Sequence, residues 1–124
     1  YTLAANANGS ALVTVYLKDN GGVADGGDDQ SDNQTFNINV TSVNDVPVFT
    51  KGDDQAKLED AGAISVPGWA TGISAGPVDE VGQTLTFTVA NNNNSLFSVQ
   101  PAITANGELT YTLAANANGS ALVT

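Results

Sequence analysis

The chain opens and closes on the same fourteen residues. Tyr1–Thr14 reads YTLAANANGSALVT, and Tyr111–Thr124 repeats it without a difference, 110 residues later. That offset is the length of one small domain, far beyond a hairpin-scale repeat. The identity predicts a window on a tandem array, about one period long with a short overlap. A period of that size supports one hydrophobic core and not two.

The apolar residues recur with period two. Val13, Val15 and Leu17 alternate with Leu12, Thr14, Tyr16 and Lys18. Phe36, Ile38 and Val40 alternate with Thr and Asn, as do Leu85, Phe87 and Val89, and again Leu109, Tyr111 and Leu113. Each pattern predicts a half-covered strand with polar groups on its wet face. Shorter strand candidates are 46–50, 63–66 and 96–99. No stretch carries a 3.6-residue period. Asn8-Gly9, Asn20-Gly21, Asn106-Gly107 and Asn118-Gly119 supply the positive φ of tight turns, and Pro67, Pro77 and Pro101 fall at predicted strand edges or loops. About seven short strands at this spacing predict an all-β, antiparallel β-sandwich.

Thirteen acidic residues face three lysines, for a formal net charge of −10. Such a chain lacks the cations that phosphate contacts and anionic membrane surfaces require, so nucleic acid is excluded as a partner. No apolar run is long enough to span a bilayer, so no membrane insertion is expected. Cys, Met and His are all absent. Thiol chemistry, Ser-His triads and soft-metal sites are therefore ruled out, and acidic pairs such as Asp53-Asp54 sit in a polar stretch without a visible cleft. The reading is a non-enzyme.

Ser42–Phe49 has the composition of a linker, with Asn-Asp and a proline between two apolar segments. It divides the chain into residues 1–46, the late strands and linker of one repeat, and residues 47–124, the early and central part of the next. The segments VNDVPVF at 43–49, LEDAG at 58–62, DEVGQTLTFTV at 79–89, the ITANGELTYT run from 103 and VTVYLKDNGG at 13–22 together resemble bacterial cadherin-like tandem repeats, the Ig-like units of large RTX-type adhesins and surface proteins. The Asn-Asp-x-Pro linker and the Lys-Asp-Asn-Gly-Gly strand end carry that resemblance jointly, over almost the whole period. Ser42 stands where the family linker begins with Asp, and no Leu-Asp-Arg-Glu-like motif precedes the strand at 11–18.

The resemblance implies an Ig/cadherin-like sandwich, neighbouring identical repeats as partners, an extracellular or bacterial cell-surface location, and calcium at the repeat junctions. It assigns Asn44 and Asp45 of the linker, with Asp79 and Glu80 of the following domain, to one calcium junction. Asp19 and Glu59 would serve the neighbouring junctions. Calcium takes six to eight oxygens and tolerates irregular geometry, which suits such a set better than magnesium would. The function implied is a spacer or stalk repeat of a long adhesin or surface fibre. Two alternatives stand beside it. One is a filament subunit joined by intermolecular strand complementation. The other is a carbohydrate- or protein-binding module using Trp69 and the acidic loop 19–32.

Overall fold

A computed structural model describes all residues, Tyr1–Thr124. The chain is all-β: seven strands form three small antiparallel sheets, and the only helical pieces are three single 3-10 turns. No helix is long and apolar enough to cross a membrane. The chain divides into two compact units, Tyr1–Val43 and Asn44–Thr124.

The first unit is one hairpin. β1 (Gly9–Val15) pairs antiparallel with β2 (Gln34–Val40), in a register that sets Val13 opposite Phe36 and Ala11 opposite Ile38. The pairing resumes lower down through a Lys18–Gln30 bridge. The connecting loop holds itself by short-range bonds. Asp19 Oδ1 accepts from the Gly21 N–H at 2.8 Å, Asp28 Oδ1 accepts from the Gln30 N–H at 3.0 Å, and Lys18 ion-pairs with Asp29 at 3.0 Å. No residue of this unit is buried. Leu12 is 68% exposed, Leu17 76% and Phe36 51%. An isolated two-stranded sheet is marginal in water, because it has no second layer to cover its apolar face.

The second unit holds the core. β3 (Val48–Thr50) pairs with β5 (Thr71–Ser74), and β4 (Ala63–Val66), β7 (Leu109–Leu113) and β6 (Phe97–Ile103) form a sheet in the order β4-β7-β6. β7 is central and alternates as its sequence predicts, with Leu109 and Tyr111 buried. The Tyr111 ring meets Phe97 edge-on at 5.8 Å, and burial pushes its phenol pKa above the usual value. Ala70 and Ala75 are the other buried hydrophobic residues. The Asn106-Gly107 turn closes β6 onto β7, with Gly107 at φ 87° pressed against the Ala70 carbonyl. Pro101 lies inside β6, at a register irregularity of an edge strand, where a missing N–H breaks no ladder bond.

Several features depart from the sequence expectation: β1 spans Gly9–Val15 and not 12–18, and the positive φ expected at Asn20-Gly21 falls on Gly22. β5 has no clear alternating signal, being Thr-Gly-Ile-Ser, and is held by its pairing with β3. β6 runs through Pro101 to Ile103, beyond the expected 96–99. The segment Leu85–Val89, the cleanest alternation in this half, belongs to no ladder. Its side chains still alternate, with Leu85, Phe87 and Val89 half-buried and Thr84, Thr86 and Thr88 exposed. Phe87 packs edge-on against Phe49 at 5.0 Å. The stretch keeps the side-chain alternation of a strand and has no ladder partner.

The two copies of the repeated sequence share one local conformation and differ in pairing. Asn6 and Asn116 take φ 57° and 53°, and Gly9 and Gly119 take 120° and 128°. Both copies close the same turn, Ala7 N–H to the Ala4 carbonyl and Ala117 N–H to the Ala114 carbonyl, each at 3.2 Å. Yet Tyr111 is 7% exposed in the central strand β7, whereas Tyr1 is 97% exposed.

Candidate cation junction

The linker residues fold back onto the second unit. Pro77 starts a 3-10 turn, Val78–Glu80, which tucks Glu80 inward while Asp79 stays at the surface. Glu80 is 3% exposed. Its Oε1 accepts from the Asp45 N–H at 2.6 Å. Asn44 is held by two bonds. Its side-chain amide donates to the Asp45 carbonyl at 2.8 Å, and its Oδ1 accepts from the Gln83 side-chain amide at 2.8 Å. Gln83 is fixed in turn by its N–H to the Glu80 carbonyl, at 2.9 Å. Gly76 lies so close that a Cβ there would meet Glu80 Oε2 at 1.9 Å. A side chain there would push the Glu80 carboxylate from its present position.

Glu80 Oε2 is the buried side-chain oxygen with no partner. A carboxylate oxygen in that position is costly unless a cation or proton answers it. Four residues of the expected calcium set, Asn44, Asp45, Asp79 and Glu80, thus lie in one lobe. They do not yet form a coordination sphere. Asp45 meets Glu80 through its backbone N–H, Asn44 Oδ1 is taken by Gln83, and no cluster of three or more acidic side chains converges. The orphaned Glu80 Oε2 is the one feature of the lobe that suits a cation.

The other two expected ligands lie elsewhere. Asp19 sits in the hairpin loop of the first unit, where its Oδ1 already caps Gly21. Glu59 is exposed between β3 and β4. Gln83 was not anticipated as part of the site. Its signal was its place in DEVGQ, one turn beyond Asp79-Glu80.

Trp69 is half-buried and ties down the 52–53 backbone. Its indole N–H donates to the Asp53 carbonyl at 2.9 Å, and a Cβ on Gly52 would stand 2.8 Å from its ring. The acidic segment Asp28–Asn33 lines an open polar depression. Lys18 and Lys51 are exposed and ion-paired with Asp29 and Asp54. No protein-family model matches the chain, and neither the curated proteins nor the solved structures compared with it gave a match.

Proposed function

We propose that this chain is part of a spacer array, an Ig/cadherin-like sandwich repeat of a long extracellular bacterial adhesin or surface fibre, with calcium stiffening the junctions. The observation that carries the reading is the exact fourteen-residue repeat, whose two copies share turn geometry yet lie in different strand settings. A repeat whose late strands lie in residues 1–46 and early strands in 47–124 accounts for this. It also accounts for the uncovered hairpin of the first unit and the unpaired segment 85–89 of the second.

In such an array each repeat contacts its neighbours, and stability is the sum of repeat and junction terms. The Asn44–Pro47 linker sets the angle of the joint. A cation bound at Glu80 Oε2 would neutralise the one buried carboxylate oxygen left without a partner there. The all-β architecture and the net charge of −10 support the reading, because a spacer needs a shielded core and a soluble surface.

The test is a thermal melt of a protein carrying an intact junction between two full periods, with calcium and with chelator. A ligand bound only by the native state raises stability by about 2.7 kcal/mol at a hundredfold excess over its dissociation constant. Superimposable melts would remove calcium from the account.

A further inference from the structure

We propose that the backbone edge of Leu85–Val89 is an acceptor for the end of β1 and the residues after it, up to Asp19, from a second copy of this chain, which add antiparallel with Thr14 opposite Ala90, Tyr16 opposite Thr88 and Leu17 opposite Phe87. The proposal rests on the tandem-repeat reading above and gives its strand addition a register.

The register is written in the chain itself. Residues just beyond the open segment are already paired antiparallel with the second copy of the repeat. Asn91 bridges Val123, and Ala90 and Thr124 exchange both backbone bonds, at 2.7 and 2.8 Å. The Asn92 N–H donates to the Leu122 carbonyl at 3.2 Å. Thr124 corresponds to Thr14 by sequence identity, so the continuation of this strand is spelled by Val15-Tyr16-Leu17-Lys18-Asp19. Extending the same ladder sets those residues against Val89 to Leu85. In an exchange, donor residues 10–14 take the place of Ser120–Thr124 with identical side chains, and residues 15–19 add pairs that nothing now makes.

Hydrogen-bond direction allows it. Alternate residues of a strand point their N–H and C=O groups to opposite edges. In the first unit, Leu17 and Asp19 point toward β2: the Ser31 N–H donates to the Leu17 carbonyl at 2.9 Å, and the Asp19 N–H donates to the Asp29 carbonyl at 3.0 Å. The alternate residues Tyr16 and Lys18 therefore turn their backbone groups to the opposite edge, and the proposed pairing carries that alternation back to Thr14. That is the same set that Leu122 and Thr124 use against Asn92 and Ala90. One strand can thus serve β2 on one edge and Leu85–Val89 on the other.

Side-chain chemistry agrees. Residues directly opposite in an antiparallel pair share a face. Val15 and Leu17, exposed by 48% and 76%, would join Val89 and Phe87 on the half-buried face. Tyr16 and Lys18 would lie beside Thr88 and Thr86 on the wet face. A contact that uses one surface of each copy is heterologous, so it propagates rather than closing as a two-fold dimer.

The absence of cysteine makes crosslinking a clean test. Val15 and Val89 would form a non-hydrogen-bonded pair, with the short Cα separation a disulfide accepts. Under oxidation, Val15→Cys mixed with Val89→Cys should give a linked dimer, and Val15→Cys mixed with Thr88→Cys should not. The chain carrying both Val15→Cys and Val89→Cys should give a ladder of linked multimers. Equal crosslinking of the two mixtures, none in either, or a linked monomer from the double variant would overturn the proposal.

Sedimentation velocity of proline variants gives a second readout. Thr88→Pro removes an N–H from the receiving edge and Tyr16→Pro one from the added strand, so each alone should weaken self-association at least tenfold. Their mixture should restore pairing, as heterodimers only. Association unchanged by either variant would overturn the assignment. A protein carrying two covalent periods separates this claim from the one beneath it. If that protein is stabilised by its second period while the single chain never associates, exchange between copies fails and the repeat stands. If the second period adds nothing, the repeat reading fails.

Discussion

Gly107 shows how tightly one residue can fix the second unit. Its φ of 87° suits glycine, and a Cβ there would stand 2.1 Å from the Ala70 carbonyl oxygen. Gly107→Ala should therefore cost about 3 kcal/mol, from backbone strain and overpacking together, read as a lower urea midpoint. Glu80 makes the opposite kind of statement, since its Oε2 is buried without a partner. Glu80→Gln keeps Oε1 as the acceptor for the Asp45 N–H and removes the charge. Without calcium the variant should be at least as stable as the parent, and its melt should no longer respond to calcium. A calcium response that survives Glu80→Gln would move the cation to other ligands. Tyr111 gives a pH dependence. Its phenol is pushed up by burial, so the folded state holds its proton more tightly than the unfolded chain. The stability it contributes is complete below the unfolded pKa of about 10 and is lost as pH rises through the folded value. Tyr111→Phe should flatten the alkaline limb of a melting-temperature profile.

At the scale of elements, Phe87 and its neighbours separate what a strand's sequence specifies from what its partner supplies. The alternation of Leu85, Phe87 and Val89 places those side chains inward even though no ladder forms, and Phe87 packs on Phe49 at 5.0 Å. Phe87→Ala should cost about 2 kcal/mol, less than a fully buried phenylalanine would, measured by denaturant unfolding. Hydrogen exchange should show fast amides at residues 85–89 in the dilute chain and slow ones in the associated form. The strands at 34–40, 63–66 and 109–113 were readable in the sequence, because period-two alternation and bounding turns act locally. β5 was not, since Thr-Gly-Ile-Ser becomes a strand through its bond pattern with β3. The missing ladder at 85–89 was equally hidden, because pairing depends on residues distant in sequence. Of the candidate site, Asn44-Asp45 and Asp79-Glu80 are assigned by the family resemblance and not by composition or spacing. The Gln83 bond to Asn44 and the burial of Glu80 against Gly76 were not readable in the sequence, being products of the tertiary fold.

On the scale of the whole molecule, two features left over by the structure match each other. One unit carries a hairpin with no buried residue, and the other carries a strand-like segment, Leu85–Val89, with no ladder partner. On the proposed repeat reading, the first would complete the second, with the repeated sequence giving the register. The central claim is that a full period runs from the linker, through Thr124, into the sequence of Val15–Val43. A chain rearranged in that order, residues 44–124 followed by 15–43, tests it most directly by denaturant unfolding with hydrogen exchange. The account predicts one cooperative transition, a midpoint above that of the Tyr1–Thr124 chain, and protected amides at Leu85–Val89. An unchanged midpoint with those amides still exchanging freely would contradict it.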